Sequence, residues 1–464
     1  GENDRKLVNV ALGASINLYG SPELAAAQAA REAGNAPNSV LSAAISIVGP
    51  RRAENAGRIV AALIERFTEA GIRDALAEEV DLTAVHADTA LATLVSSVEP
   101  DPRALAMLAG LESRGTRSVF VRYLRDQPAH VSADAVLAAI TTTLAWGPLM
   151  RKRVSRLTVE TLPWWMRLFG TVIGASAQSE AHRPDGFNGF ATADLLGRAS
   201  ITEVAYHALL GRAPEASDLF AFQTLVGILL TNGPGTISAQ GAKGAVSSDG
   251  PETPQRVQLN KALTGFLSHT GYAHGGNGFE GVQFLIEQFR DSGLQDPADP
   301  AHGVDLKALA RRYAEDYGRY KAGAKSLGSL DIRKIPGVNH PVFKDKPVNL
   351  DPREVFIREL MEGRGETNVF HDFYRVLVQV LRDTGVSRTV YCVNIDAVIA
   401  ALLLKLTWQP WRAGEISDSA LEAAAFSIFL YARMLGCAAE ADDHLNRGRN
   451  MDTRTVASRC RFVS

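Results

Sequence analysis

The stretch HTGYAHGGNGFEGVQFLIEQF, residues 269–289, admits two folds. Gly276, Gly278 and Gly281 spell G-x-G-x-x-G. In a dinucleotide-binding turn a strand precedes such glycines, a helix follows, and an acid lies about twenty residues on. His269 and His274 stand just before them, and a histidine against glycines suits acid–base chemistry. The flanks decide the matter. LNKALTGFLSHTG (259–271) has no β-branched run and reads as a helix, so the fingerprint lacks its strand. The glycines then serve close approach of backbone to a ligand or to another helix.

Outward from this stretch, helical spacing dominates. NAGRIVAALIERFTEAG (55–71) places Ile59, Leu63, Ile64 and Phe67 on one face, at steps of three and four. SITEVAYHALLGR (200–212) opens with a Ser cap, has a Glu three residues on, and reaches a glycine at its end. DPREVFIRELMEG (351–363) and SDSALEAAAFSIFLYARMLG (417–436) read the same way. Strand-like alternation is rare, RSVFVRYL (117–124) being the best case. The spacing predicts a mainly α-helical protein.

Composition bounds the function. The 464 residues suffice for two or three domains, and a net charge of −2 gives no basic face for nucleic acid. Cys392, Cys437 and Cys460 have neither metal nor disulfide spacing, which fits a reducing, cytoplasmic setting. No apolar run reads as long and uncharged enough to span a membrane, and no signal peptide is visible. His182, His207, His302, His371 and His444 form no metal spacing.

An internal repeat is more informative. GPRRAENAGRIVAALIERFTEAGI (49–72) aligns without a gap on GYAHGGNGFEGVQFLIEQFRDSGL (271–294). VSADAVLAAITTTLAWGP (131–148) aligns on VNIDAVIAALLLKLTWQP (393–410), with Asp134 on Asp396, Trp146 on Trp408 and Pro148 on Pro410. Between them EPDPRAL (99–105) meets NLDPREV (349–355). Residues 1–185 are therefore expected to be a degenerate copy of a fold whose intact copy fills 186–464, itself split into a large and a small subdomain. The differences point to chemistry: His274 meets Arg52, Gly275-Gly276 meets Ala53-Glu54, and the sequence offers no counterpart for His340.

His274, His340 and Asp396 each stand at a helix edge or loop. Two histidines and a carboxylate suit abstraction of a proton beside a carbonyl: the carboxylate takes the proton, one histidine donates to the enolate, and the other polarises an electrophilic carbonyl. A histidine near a helix end is ordinarily a surface or core residue, and an Asp opening a helix is ordinarily a cap. Spacing alone leaves both readings open.

Four segments in register, YAHGGNGFEGV, KIPGVNHPVF…DPRE, VNIDAVI and FSIFLYARMLG, resemble the signature segments of citrate synthases. The citryl-CoA lyases and the citrate synthase homology domain of ATP-citrate lyase are similar too. The resemblance covers about residues 195–455. It implies a two-domain helical fold and a carbon–carbon bond reaction between an acyl-CoA and a 2-oxoacid. The coenzyme A thioester would be a co-substrate, with no permanently bound cofactor and no metal. By match of motif, His274 would stabilise the enol, His340 polarise the keto group and Asp396 remove the proton. Arg353 and Arg433 would clamp substrate carboxylates, with Arg454 or Arg449 as a further arginine. Asn232, in LLTNGPGTISAQGA (229–242), falls where synthases carry a histidine, and the Gly-Pro after it resembles the lyase type. The family's CoA contacts lie near the loop around His340, which puts forward Gly337, Lys344 and Lys346; the two lysines equally suit a solvated pair. Partners are expected to be an acyl-CoA and a 2-oxoacid or hydroxy-tricarboxylate, in a homodimer or an internal pseudo-dimer. Cleavage of citryl-CoA, or a non-catalytic scaffold that binds a CoA ligand, are the alternatives.

Overall fold

Ile59, Leu63, Ile64 and Phe67 all lie on the buried side of the Glu54–Glu69 helix, as their spacing requires. The other helical readings hold as well. Ser200 and Glu203 close a reciprocal capping box on Ile201–Leu210, and Gly211 ends that helix at φ 71°. Leu259–Ser268, Pro352–Gly363 and Asp418–Asn446 are helices. The computed structural model describes residues 1–231, 233–247, 257–271, 274–275, 277–328, 332–339 and 349–446. Among these the only sheet is a three-stranded antiparallel ribbon, at residues 182–183, 186–187 and 190–191.

RSVFVRYL is not a strand. Val119–Arg125 is a helix capped by the Ser118 hydroxyl, which accepts from Val121 N. Phe120, Tyr123 and Leu124, at steps of three and four, enter the core. Burial on a helical face overrides the β preference of two valines.

Two helices, Ala133–Met150 and Asp418–Asn446, do reach the length and apolar content of a membrane span. Their apolar windows are 61% and 67% buried inside the protein. A helix apolar on all sides is what a core position asks for.

The chain forms two compact units. One takes Gly1–Pro214, Pro234–Thr270 and the last helix from Arg433 onward; the other takes Glu215–Gly233 and Gly271–Ala432. This spatial division and the expected sequence halves, 1–185 and 186–464, are different partitions of the chain.

Within the first unit, glycines set the closeness of two helices. A Cβ on Gly174 would strike the Ile16 carbonyl oxygen, and one on Gly170 would strike Ser15. Both glycines lie in Arg156–Ser176, which packs along Glu2–Ile16. Gly174→Ala is expected to cost about 1–3 kcal/mol by overpacking, read as a lowered urea midpoint.

The same arrangement occurs once in each unit. In the first, Asp101 Oδ1 accepts from Arg103 N at 3.0 Å and Oδ2 from Ala133 N at 2.9 Å. In the second, Asp351 Oδ1 accepts from Arg353 N at 3.0 Å and Oδ2 from Ile395 N at 3.1 Å. Phe120 meets Trp146 at 5.0 Å and 67°; Phe370 meets Trp408 at 5.2 Å and 67°. Phe67 lies 4.5 Å from Phe120, and Phe289 lies 5.0 Å from Phe370. Each aromatic set pins three helices at one point, so the repeat in sequence is also a repeat of packing.

Candidate functional site

Asp396 opens the Ile395–Arg412 helix but does not cap it. Asn394 does: its Oδ1 accepts from Asp396 N at 2.9 Å and Ala397 N at 3.2 Å. The carboxylate is thereby spared the ordinary role of an acid at a helix start. Asn394 also holds a second strand of chain. Its Nδ2 donates to Asn339 O at 2.8 Å, and its backbone N donates to Gly337 O at 3.0 Å. Asn339 N donates to Cys392 O at 2.6 Å, and Val338 bridges Val393. The Gly337–Asn339 turn, which leads directly into His340, is therefore stitched to the start of the Asp396 helix.

The turn needs its glycine. Gly337 has φ 72°, and a Cβ there would lie 2.7 Å from Ala397 Cβ and 3.0 Å from the Tyr374 ring. Asn339 also takes a left-handed φ of 69°. Gly337 thus has a structural task beside the cofactor contact expected of it. Asn394→Ala is expected to remove the cap and the turn's anchor together, costing about 1–2 kcal/mol. Turnover should fall more than substrate binding, measured as kcat against KM on a variant shown to be folded.

Tyr374 closes the wall beside this turn. It is wholly buried, and its hydroxyl has no hydrogen-bond partner among the described residues. Burial first, then the neighbouring Tyr313 and Asp396, hold its pKa well above the usual phenol value. It stays a neutral hydroxyl at any ordinary pH.

His274 is half-buried, in a tight turn where its N donates to Gly271 O at 2.9 Å. Its ring stands edge-on to Phe429 at 5.9 Å. Gly275, at φ 129°, lets the backbone pass; a Cβ would lie 2.7 Å from the Phe429 ring and 2.9 Å from Phe426. The glycines of the opening stretch do serve helix packing. A Cβ on Gly281 would lie 2.8 Å from Ala400 Cβ, and one on Gly278 would lie 3.0 Å from Ile399. The Asn277–Phe289 helix, which starts three residues after His274, is thus seated directly on the helix that Asp396 opens.

Arg353 turns its fork onto Asp351, with Nε at 3.0 Å from Oδ1 and Nη2 at 2.7 Å from Oδ2. Asp351 is fully buried while the Arg353 side chain is 26% exposed. Arg433 belongs to the other compact unit, as a buried residue of Asp418–Asn446. Burial lowers its pKa, against the nearby Cys437. The Cys437 thiol is itself pushed up to about 11 by burial, so it is not a ready nucleophile. His340, Asn232, Lys344, Lys346, Arg449 and Arg454 lie outside the described residues.

His340 has no counterpart by sequence alignment, but the turn that precedes it has one in the first unit. Ser97 N donates to His130 O at 2.6 Å, Ser132 N to Val95 O at 3.0 Å, and Ser96 bridges Val131. These are the bonds of Asn339, Asn394 and Val338 in the first unit's terms. The residue following the turn is Val98 there and His340 here. A further pair went unread: Arg-Leu-Phe-Gly at 167–170 matches Arg-Met-Leu-Gly at 433–436, which sets Arg167 against Arg433. Those four letters were the available signal.

No protein-family model matches the chain, and no curated protein matches it as a relative. Among solved structures the chain is similar to citryl-CoA lyase from Hydrogenobacter thermophilus, at 19% identity and a TM-score of 0.40, over 56% of this chain and 82% of that one. It is similar to citrate synthase from Thermoplasma acidophilum, at 16% identity and a TM-score of 0.40, over 80% and 85%. It is similar to ATP citrate lyase from Methanothrix soehngenii, at 16% identity and a TM-score of 0.39, over 59% and 38%. The likeness is to citrate synthase and citryl-CoA lyase structures at low identity, and likeness at this level assigns no activity to the chain.

Proposed function

We propose that the chain makes or breaks a carbon–carbon bond between an acyl-CoA and a 2-oxoacid through an enolate. One observation carries the reading: Asn394 caps the helix in place of Asp396 and ties down the turn that leads to His340. A carboxylate in the first turn of a helix that another residue caps, beside the turn that precedes His340 in the chain, suits proton removal beside a thioester carbonyl. In this reading Asp396 is the base, His274 donates to the enolate oxygen, and His340 polarises the keto group. Arg353 and Arg433 hold substrate carboxylates, because a planar fork pairs a carboxylate through two bonds. Coenzyme A enters as part of the substrate. The second reading is cleavage of citryl-CoA by the same residues, favoured by the Gly-Pro after Asn232.

The test follows free CoA from acetyl-CoA plus oxaloacetate, and separately from citryl-CoA. Release from the first pair supports synthesis, and breakdown of citryl-CoA alone supports the lyase. Silence with both, on folded protein, removes oxaloacetate chemistry and leaves another 2-oxoacid or the scaffold. The chain is further proposed to act as an internal pseudo-dimer or as a dimer of such chains. A molar mass of one or two times 49.8 kDa by light scattering separates these.

A further inference from the structure

The first unit contains a cleft of 170 Å³. Its lining includes Arg52, Arg103 and Arg167, with Glu23, Asn17 and Thr171. It also includes Ala133, the residue before Asp134. These arginines come from three separate segments: the Pro50–Arg52 turn, the start of Pro102–Ser113, and the middle of Arg156–Ser176. By the repeat they stand at the positions of His274, Arg353 and Arg433, and Asp134 stands at that of Asp396. The two histidines have become Arg52 and Val98, while the acid and both other arginines remain.

What is left is three arginines beside paired acids. Asp134 is no free base: Arg167 pairs with it, and Asn55 Nδ2 donates to its Oδ2 at 3.0 Å. Arg52 pairs with the buried Glu23 at 3.2 Å, and Arg103 lies 3.7 Å from Asp101. Each guanidinium has one edge toward an internal acid, and a guanidinium carries five donors. The Arg103 and Arg52 side chains are 76% and 49% exposed, and that of Arg167 is 23% exposed. Erosion with no function to keep would not favour a third arginine in place of a histidine in the lining of a cleft that stays open.

We infer that this cleft is a non-catalytic binding site for a small di- or tricarboxylate. The cleft has room for on the order of ten waters, the bulk of such a ligand. Three guanidinium groups from separate segments, each near an internal acid through one nitrogen, suit several separate carboxylates better than one compact dianion. The site holds whether or not the His274 and Asp396 site turns over.

The test uses the full chain, with citrate as probe, followed by calorimetry and by hydrogen exchange of peptides covering 48–57 and 100–108. Citrate is expected to slow exchange in both peptides. The double variant Arg52→Ala, Arg103→Ala removes two exposed side chains and should keep the thermal midpoint. It is expected to weaken citrate at least about tenfold, as loss of charge-assisted bonds implies, and to abolish the protection. Protection confined to 393–397, or citrate binding unchanged in the double variant, overturns the site. Displacement of citrate by an equal concentration of inorganic phosphate overturns the carboxylate class. Failure of the proposed enzymatic reaction would leave the protection at 48–57 in place, so the two ideas fail separately.

Discussion

Asp396→Asn is expected to lower CoA release by two to four orders of magnitude, the usual worth of a positioned general base. Ligand binding should survive. Asparagine matches the carboxylate in size, and the helix start is held by Asn394, whose Oδ1 takes the backbone N–H groups of 396 and 397. Folding therefore gives no reason for the variant to fail, and its thermal midpoint should stay close to that of the parent. Asp134→Asn is the matched control in the first unit, where the acid pairs with Arg167. It should leave CoA release unchanged. Equal loss in both variants would mean that these acids serve the fold, and no loss in either would remove Asp396 as the base.

The second large effect concerns the buried latch. Asp351→Ala is expected to cost about 3–5 kcal/mol, the range for breaking a buried pair from one side. Three losses act together: the cap on Arg353 N, the acceptor for Ile395 N, and the two-bond partner of Arg353. Asp101→Ala removes the same cap and the same cross-link to Ala133, but its arginine is mostly in water. It should cost about 1–2 kcal/mol, near the worth of a cap. Chemical denaturation of the two variants reads the difference, and equal costs would refute the role given to Arg353.

Asp101 adds a pH dependence whose sign is fixed. Burial raises its pKa, but the N–H groups of Ala133 and Arg103 and the Arg103 charge outweigh this, so the folded value lies below the usual one. A depressed carboxylate contributes stability above its unfolded pKa of about 3.9, and that contribution fades as pH falls through the lower folded value. Acid unfolding should therefore show a loss at and below about pH 4 that Asp101→Asn removes.

The mainly helical fold was legible because helices announce themselves locally. Spacing of three and four placed Ile59, Leu63 and Phe67, and the Ser200 box marked its own start. The repeat was legible because Asp134, Trp146 and Pro148 recur as Asp396, Trp408 and Pro410. RSVFVRYL misled because alternation over eight residues fits a strand, while only the surrounding core shows which face is buried. The Ala133–Met150 helix is apolar enough for a membrane span and is 61% buried inside the protein, a distinction that composition alone does not make.

Sequence by itself determined the helical class, the duplication, and the residue types put forward with His274 and Asp396. Those follow from periodicity and from comparison of one copy with the other, which need no coordinates. Tertiary structure alone decided that Asn394 and not Asp396 is the cap, that the turn before Val98 matches the turn before His340, and that Arg52, Arg103 and Arg167 share one cleft. Each of these joins groups far apart in the chain, and a hydrogen bond between residues 337 and 394, or a cleft between residues 52 and 167, leaves no periodic trace in the letters.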